Sequence, residues 1–528
     1  MMGAMSRERF DVCVIGSGAA GGTLASQLVK RGARVALIEA GKYRDPSKLR
    51  NHAWPYDQAR PPTIPSVTPD PKREPVEYKG DPISVSRGRV VGGRTTHWNA
   101  VTLRFSEDDF REWSMNGIEE DWPLTYRELA PYYDQVEELM VVCGTRENLE
   151  VVPDGRFIRP LRMRCSENIL DRACRRIGMR VIPVRKALAT EPGHGRSACH
   201  YCGHCMQGCG VSAIFNTAEH LIPQARRTGR LVLRSGWMVR ELRTDDEARV
   251  RSAAIFERDS GEEDAIKADV FVACCGNIES ARLLLNSRSR RFPNGLANSN
   301  DVVGRYLHGH ITAEVHGYLA DLVGQKPTNQ DGALDHACIP RAQTPEGSDY
   351  AGGFGIQLNV RGYMRPHHAR HVPGFGHDFK KRVRDLKPAH TDALAFGKVI
   401  GHAENRVSCT RIAAMTTVYR CRRCISAGSL MIGPCIGRCS RHATRSTTRR
   451  ASPCGCSSRD RGDSPPTRSG ACAWVKPPKR PSSIDSIKRT RSKTSSSLME
   501  AASRPSPRRI RPSQLLPWRS VRRRIFSG

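Results

Sequence analysis

Four cysteines, Cys199, Cys202, Cys205 and Cys209, stand as C-x2-C-x2-C-x3-C in the stretch ACHYCGHCMQGCG. Thiolates spaced so closely in a turn can converge on one soft metal centre. The spacing is that of iron–sulfur ligation, with Gly210 where a proline commonly follows the last cysteine. No second cysteine set is visible, which leaves the cluster type open and admits a three-iron centre on three of the four thiols. A zinc site, a disulfide pair and idle thiols are the competing readings. His200 and His204 lie among the cysteines and are read as loop residues.

A second constellation is made of glycines. In FDVCVIGSGAAGGTLASQLVKRGARVALIEAG, residues 10–41, Gly16, Gly18 and Gly21 fall in G-x-G-x-x-G register. The apolar run Phe10–Ile15 predicts a strand, a helical pattern begins near Ala19, and a second apolar strand, Val35–Ile38, ends on Glu39. Gly16 allows the turn, Gly18 lets backbone N–H groups approach a pyrophosphate, and Gly21 lets helix and strand pack closely. The phosphates then sit at the positive end of the helix dipole. Glu39 falls where an acid holds ribose hydroxyls. Strand, turn, helix, strand and acid agree, and they define a dinucleotide-binding half-domain. Further on, VSRGRVVGGRTTHWNAVTLRF, residues 85–105, carries Gly88, Gly92 and Gly93, a second loop able to press amides against phosphate or flavin.

The elements that must position these groups are distributed unevenly. The 528 residues allow two domains and a large core. A net charge of +32 invites a nucleic-acid reading. From Val407 onward, however, there are 27 Lys and Arg against four acids, a net of +23, which leaves +9 for residues 1–406. Of the nineteen cysteines, eleven precede Val407 and eight follow it. The tail has neither aromatic interleaving nor a recognisable motif, so nucleic acid is not expected as a partner. No apolar run approaches the ~18 residues of a membrane span, and the first apolar run is a strand of the fold, not a signal peptide. The Pro-rich, polar stretch from Lys42 to Tyr78 is expected to be a long surface loop.

At this point a resemblance becomes specific. The opening unit and residues 85–105 resemble the glucose-methanol-choline (GMC) oxidoreductases. Downstream, WPLTYRELAPYYDQVEELMVVCG (122–144), ADVFVACCGNIESARLLLNS (268–287) and VVGRYLHGH (302–310) agree with it. The resemblance covers about residues 8–406, with 311–395 its least distinctive part. It implies an α/β fold: a GMC-type, Rossmann-like FAD-binding domain and a substrate domain built on a sheet. The expected division is 8–310 for a discontinuous FAD domain with the cysteine-rich insert 199–210, then 311–406 for the substrate segment.

The resemblance further implies that the backbone of Val239, in SGWMVREL, touches the adenine, and that Gly276, with Asn277, closes the strand Val270–Ala273 as it returns to the nucleotide. It places Asn99 facing the flavin. The Thr96-His97-Trp98 triplet resembles pyranose oxidases, whose matching histidine carries FAD covalently; the alternative is a packed, hydrogen-bonded histidine beside the ring. The cysteine motif narrows the likeness to large subunits of bacterial glucoside 3-dehydrogenases. These oxidise a CH–OH group of a sugar or glycoside and pass electrons onward, which implies a small subunit and a cytochrome c acceptor as partners. The absence of a signal favours the cytoplasm, or the periplasm if a partner subunit exports the complex.

The family's base is a histidine in a His-Glu-x-Gly-type segment, assisted by Asn or His in an Asn-Pro-Thr-like one, both near the C-terminus. Neither segment is present. The likeness survives through GHAENRV, 401–407, and then gives way to Arg, Ser, Pro and Cys without periodicity. A genuine disordered basic tail is one explanation. A displaced reading frame is the other, and codons test it. Each preceding codon's last base is joined to the first two of the next. Cys409–Ile412 then permits Leu-His-Pro-Asp, and Thr467–Gly470 permits His-Glu-Ile-Gly. Ala473–Val475 permits Arg-Met-Gly, Lys493–Glu500 permits Lys-Asn-Leu-Phe-Val-Thr-Asp-Gly, and Ile510–Gln514 permits Asn-Pro-Thr-Leu-Thr. The glycines at Val475 and Glu500 are forced, because the single codons of Trp474 and Met499 both end in G. Five matches in one frame, in the family's order and spacing, mark 407–528 as an out-of-frame basic tail, expected to be disordered. Thr467 and Ile510 then stand where the shifted frame encodes the catalytic histidine and asparagine, so the chain as it stands holds no catalytic residue. Two rivals remain, a catalytically dead flavin-binding remnant and a zinc-stabilised binding module.

Overall fold

Arg9–Ile15 (β1) and Val35–Glu39 (β2) carry apolar runs, and all of β2 and Phe10 and Val12–Ile15 of β1 are buried. Such strands belong in the interior of a parallel sheet covered on both sides. Parallel neighbours need a crossover, supplied by the helix Ala19–Lys30 (α1). The computed structural model describes residues 8–46, 76–80, 87–117, 119–326, 336–342, 352–359, 366–409 and 416–420. The chain divides into two units, Met1–Gly455 and Cys456–Gly528, and all the described residues belong to the first.

Their six-stranded sheet runs Leu231–Ser235, β2, β1, Glu263–Ala273, Val250–Glu257, Trp237–Thr244. The first four strands are mutually parallel and the last three form an antiparallel meander. Ile15 lies beside both Ile38 and Ala273, so three strands end together at the glycine turn. This is the carboxyl edge where doubly wound folds take ligands. Phe10, Cys13, Ile15, Ala36, Ile38, Val239, Ile255, Ile266 and Leu283 form the core beneath it.

The second sheet is antiparallel, in the order Ile182–Pro183, Ala337–Ala342, Phe354–Leu358, His390–Gly397, Ile311–Tyr318. Its buried face packs Ile339, Phe354, Ile356, Leu358, Ala393 and Ala395 on Leu170 and Cys174 of the helix Cys165–Arg175. A sheet with one apolar face must cover it, and the cover comes from upstream. The layer of the second sheet therefore takes residues 165–183 as well as those after 311, and no single cut separates the two layers. The stretch 122–144 holds the helix Tyr126–Met140, opened by a capping box between Thr125 and Glu128.

Two expectations meet strands instead of loop or tail. Val76–Gly80 pairs in parallel with Thr416–Arg420, which pairs antiparallel with Arg406–Cys409. The loop expected from Lys42 to Tyr78 thus ends in a strand, and regular structure continues past 407. Runs such as Val-Ser-Cys and Thr-Thr-Val-Tyr keep β-branched and aromatic residues that suit a pleated edge. Among the described residues no helix is long and apolar enough to cross a membrane.

Candidate functional site

The glycine turn is built by exclusion. Gly16 sits at φ +100°, and a Cβ there would lie 2.5 Å from the Cys274 carbonyl oxygen. A Cβ on Gly21 would lie 1.8 Å from the Gly16 oxygen, an overlap nothing can relieve. Gly18 differs: the nearest atom to its Cβ position is the Gly93 Cα at 4.0 Å. Gly18 caps α1 without a side-chain cap, and the first turn carries no acid. Amides at such a helix start, with no carboxylate competing, can hold an anion.

The second glycine loop closes on the first. A Cβ on Gly93 would come 2.9 Å from the Gly18 Cα. Gly92, at φ +90°, donates its N–H to the Ser17 hydroxyl (2.9 Å), which donates to Glu39 Oε2 (2.7 Å). Glu39 also accepts from the N–H of Ser17 (3.0 Å) and of Gly41 (2.8 Å). Burial raises the Glu39 carboxyl above its ordinary range, against the pull of these donors. Oε2 already accepts twice, but Oε1 accepts only from Gly41 and keeps a second lone pair, so Glu39 can still accept from a ligand hydroxyl. Thr95 and Thr217 complete the lock: the Thr217 hydroxyl donates to the Ser17 carbonyl (2.8 Å), and its N–H to the Thr95 hydroxyl (3.2 Å). Ser17, Thr95 and Thr217 escaped the sequence reading because nothing local ties residue 217 to residue 17. Ser17 alone carried a faint signal, as a polar residue inside the glycine motif.

His97 is buried beside this loop, with Nδ1 2.9 Å from the Thr96 hydroxyl. Its Nε2 is buried with no hydrogen-bond partner. Burial, with Arg94 and Arg44 nearby, pulls the imidazole down to about 4, so it is neutral at pH 7. Asn99 is half-buried, and Ala100 after it is fully buried in the left-handed region, φ +62°. A non-glycine held there marks a loop whose course is imposed by its surroundings.

Val239 is buried next to a bulge in its strand, and its carbonyl accepts from Arg282 (3.1 Å). Gly276, at φ +80° with open space around its Cβ position, begins the helix Asn277–Asn286. The sequence reading missed the charges that tie these two together. Glu279, buried, meets Arg87 Nη1 at 2.7 Å, Arg282 Nε at 2.8 Å and Arg89 at 3.5 Å. Burial opposes its ionisation, but Arg282, Arg89 and Arg87 hold its carboxyl below the ordinary value of 4.5. A depressed pKa contributes stability that is present above the unfolded-state value and lost as pH falls through the folded one. Stability is therefore expected to decline as pH falls below about 4.5. Glu279→Gln should cost about 3–5 kcal/mol at pH 7, because it leaves three cations facing a neutral amide. Urea denaturation checks both; an acid limb unchanged by E279Q would sink the assignment.

The four motif cysteines lie on one loop. Cys199, Cys205 and Cys209 flank an apolar cluster that includes Leu161, Leu188 and Phe215. Among the described residues no cysteine is joined in a disulfide, so the disulfide reading is not met there. Burial pushes the Cys199 thiol up to about 12 and also raises Cys202. Buried Arg196, unmarked in sequence, bonds the carbonyls of Met140, Ala187 and Ala213, and its Nε has no hydrogen-bond partner. Its charge interacts with Cys209 and Cys143. Thr467 and Ile510 lie outside the described residues.

Fold and glycine cradle together define an α/β dinucleotide-binding protein with a second, antiparallel sheet. The GMC oxidoreductase family model matches residues 10–312, and the chain belongs to that family. It is 31% identical over 328 residues to the fructose dehydrogenase large subunit of Gluconobacter japonicus, covering 58% of this chain and 60% of that one. It is 28% identical to 6'''-hydroxyparomomycin C oxidase of Streptomyces lividus, covering 66% and 62%. The chain thus spans less than two thirds of the length of these relatives. Pyridoxine 4-oxidase from Mesorbium loti shares the fold at a TM-score of 0.55 and 17% identity, over 85% of this chain and 84% of that one. Formate oxidase follows at 0.53 and 12%, over 84% and 83%.

Proposed function

We propose that this chain is built as an FAD-dependent oxidoreductase that oxidises a CH–OH group of a sugar or glycoside. The observation that carries the cofactor is the cradle at Gly18: an uncapped helix start, free of acids, with open space at one glycine and none at its neighbours. FAD modification is described for a formate oxidase of Aspergillus oryzae that shares the fold, which supports the same cofactor here. The relatives' names supply the donor class: fructose dehydrogenase, an aminoglycoside oxidase, and 2-methyl-1,2-propanediol dehydrogenase of Mycolicibacterium austroafricanum. FAD, when bound, accepts the hydride taken from carbon.

The chain's residues divide the remaining work. Gly16, Gly18 and Gly21 admit the pyrophosphate, and Glu39 orients a ribose. Val239 and Gly276 border the adenine side; Gly92, Gly93, His97 and Asn99 border the flavin. Neutral His97 presents a buried nitrogen there without adding charge. For onward electron transfer, Cys199, Cys202, Cys205 and Cys209 suit an iron–sulfur centre, and an anionic cluster would compensate buried Arg196. The fructose dehydrogenase relative is named a large subunit, which supports a small-subunit partner here; a cytochrome c acceptor belongs to the same reading.

The purified protein is expected to carry flavin together with iron and acid-labile sulfide. Cys202→Ser should remove the iron and sulfide and leave the flavin. Zinc in place of iron, without sulfide, would overturn the cluster, and an absence of flavin would overturn the reading as a whole. The codon matches favour one second reading, that the chain as it stands binds flavin without turnover.

A further inference from the structure

We infer that His316, His368 and His390 form a binding site for one divalent transition-metal ion of the zinc class, on the substrate-side sheet. The register places His316 opposite Asp392 and His390 opposite Tyr318, so the two histidines are diagonal neighbours on one face. The turn Pro366–His371 brings the third imidazole over them. Its ring stacks on His390 with centroids 4.5 Å apart and lies 5.0 Å from that of His316.

The nitrogen geometry is that of a ligand set. His316 Nδ1 and His390 Nε2 are 3.3 Å apart. Two imidazole nitrogens on a tetrahedral zinc, each at 2.0–2.1 Å, stand about 3.3 Å apart. One ligand atom from each of the three rings falls within 4.8 Å of the others, so about an ångström of ring movement closes the set. Among the described residues this is the grouping of potential ligands that meets that limit.

The surroundings fit as well. Glu314 Oε1 lies 3.5 Å from His316 Nε2, the nitrogen turned away from the shared point. A carboxylate on the distal nitrogen of a metal-bound histidine fixes its tautomer and raises its basicity. His368 and His390 are buried while His316 is partly exposed, which anchors two ligands and leaves an approach past the third. Three nitrogens leave the fourth position open to an exchangeable ligand. A bound ion would fasten the 366–371 turn to the sheet.

Cobalt(II) titrated into the full chain tests the site, because thiolate ligands announce themselves by sulfur-to-metal charge-transfer bands and imidazoles do not. The expected result is one equivalent with ligand-field bands and no charge transfer, retained in Cys202→Ser. His316→Ala should weaken that equivalent at least 100-fold, and zinc should raise the Tm of wild type and C202S but not of H316A. His316 is the exposed ligand, so its truncation is chosen to keep the fold, with circular dichroism as the check. The inference is overturned if H316A binds cobalt as wild type does, if the wild type shows only thiolate-type bands, or if it binds none.

Discussion

Gly18→Ala is expected to fold like the wild type and to bind FAD at least about 100-fold more weakly, a loss of about 2.8 kcal/mol. The backbone at Gly18 has φ −63°, which any residue accepts, and the new methyl would meet nothing closer than 4.0 Å. In the absence of cofactor the substitution therefore has no steric reason to destabilise the protein. The same methyl would stand where the pyrophosphate must approach the amides of α1, so its effect falls on the ligand. Gly21→Ala is the control, since its methyl would lie 1.8 Å from the Gly16 oxygen and must disrupt the turn itself. Flavin titration followed by fluorescence, beside thermal melts of both apo variants, separates the two. If G18A binds FAD as tightly as wild type, the cradle is not the pyrophosphate site.

The second expected result concerns turnover. On the displaced-frame reading Thr467 and Ile510 take the places of the base and its partner, and the chain as it stands is then expected to show no oxidation of sugars with a dye acceptor above background. Threonine and isoleucine offer no group that takes a proton near neutral pH. Resequencing the gene across the codons for Asn405–Arg411 should reveal one missing or extra base. The protein made in the corrected frame should reduce the dye. Replacing its restored histidine by alanine should lower kcat about 10²–10⁴-fold, the usual contribution of a positioned base. Sugar-dependent dye reduction by the uncorrected chain would overturn this account.

The glycine cradle was legible early because its determinants are local. Steric demands at Gly16, Gly18 and Gly21 are met or failed within a dozen residues, and the period of the flanking apolar runs announces strand and helix. The expected strands at Phe10–Ile15 and Val35–Ile38 and the helix from Ala19 were found within one residue of those bounds. The long loop through Tyr78 was misjudged, because strand Val76–Gly80 exists by virtue of a partner 340 residues away. Edge strands of that kind carry little periodicity of their own.

By itself, then, the sequence determined the nucleotide half-domain, the family likeness and the thiol spacing, and it raised the question of the frame after 407. Each rests on neighbours in the chain or on the code beneath it. Tertiary structure alone decided the lock of Ser17, Glu39, Thr95 and Thr217, the Glu279 charge cluster, buried Arg196 and the trio His316, His368 and His390. Those groups meet across tens to hundreds of residues. Hydrogen bonds and ligand sets depend on distances of a few ångströms, and sheet register and burial set such distances only once the chain has folded.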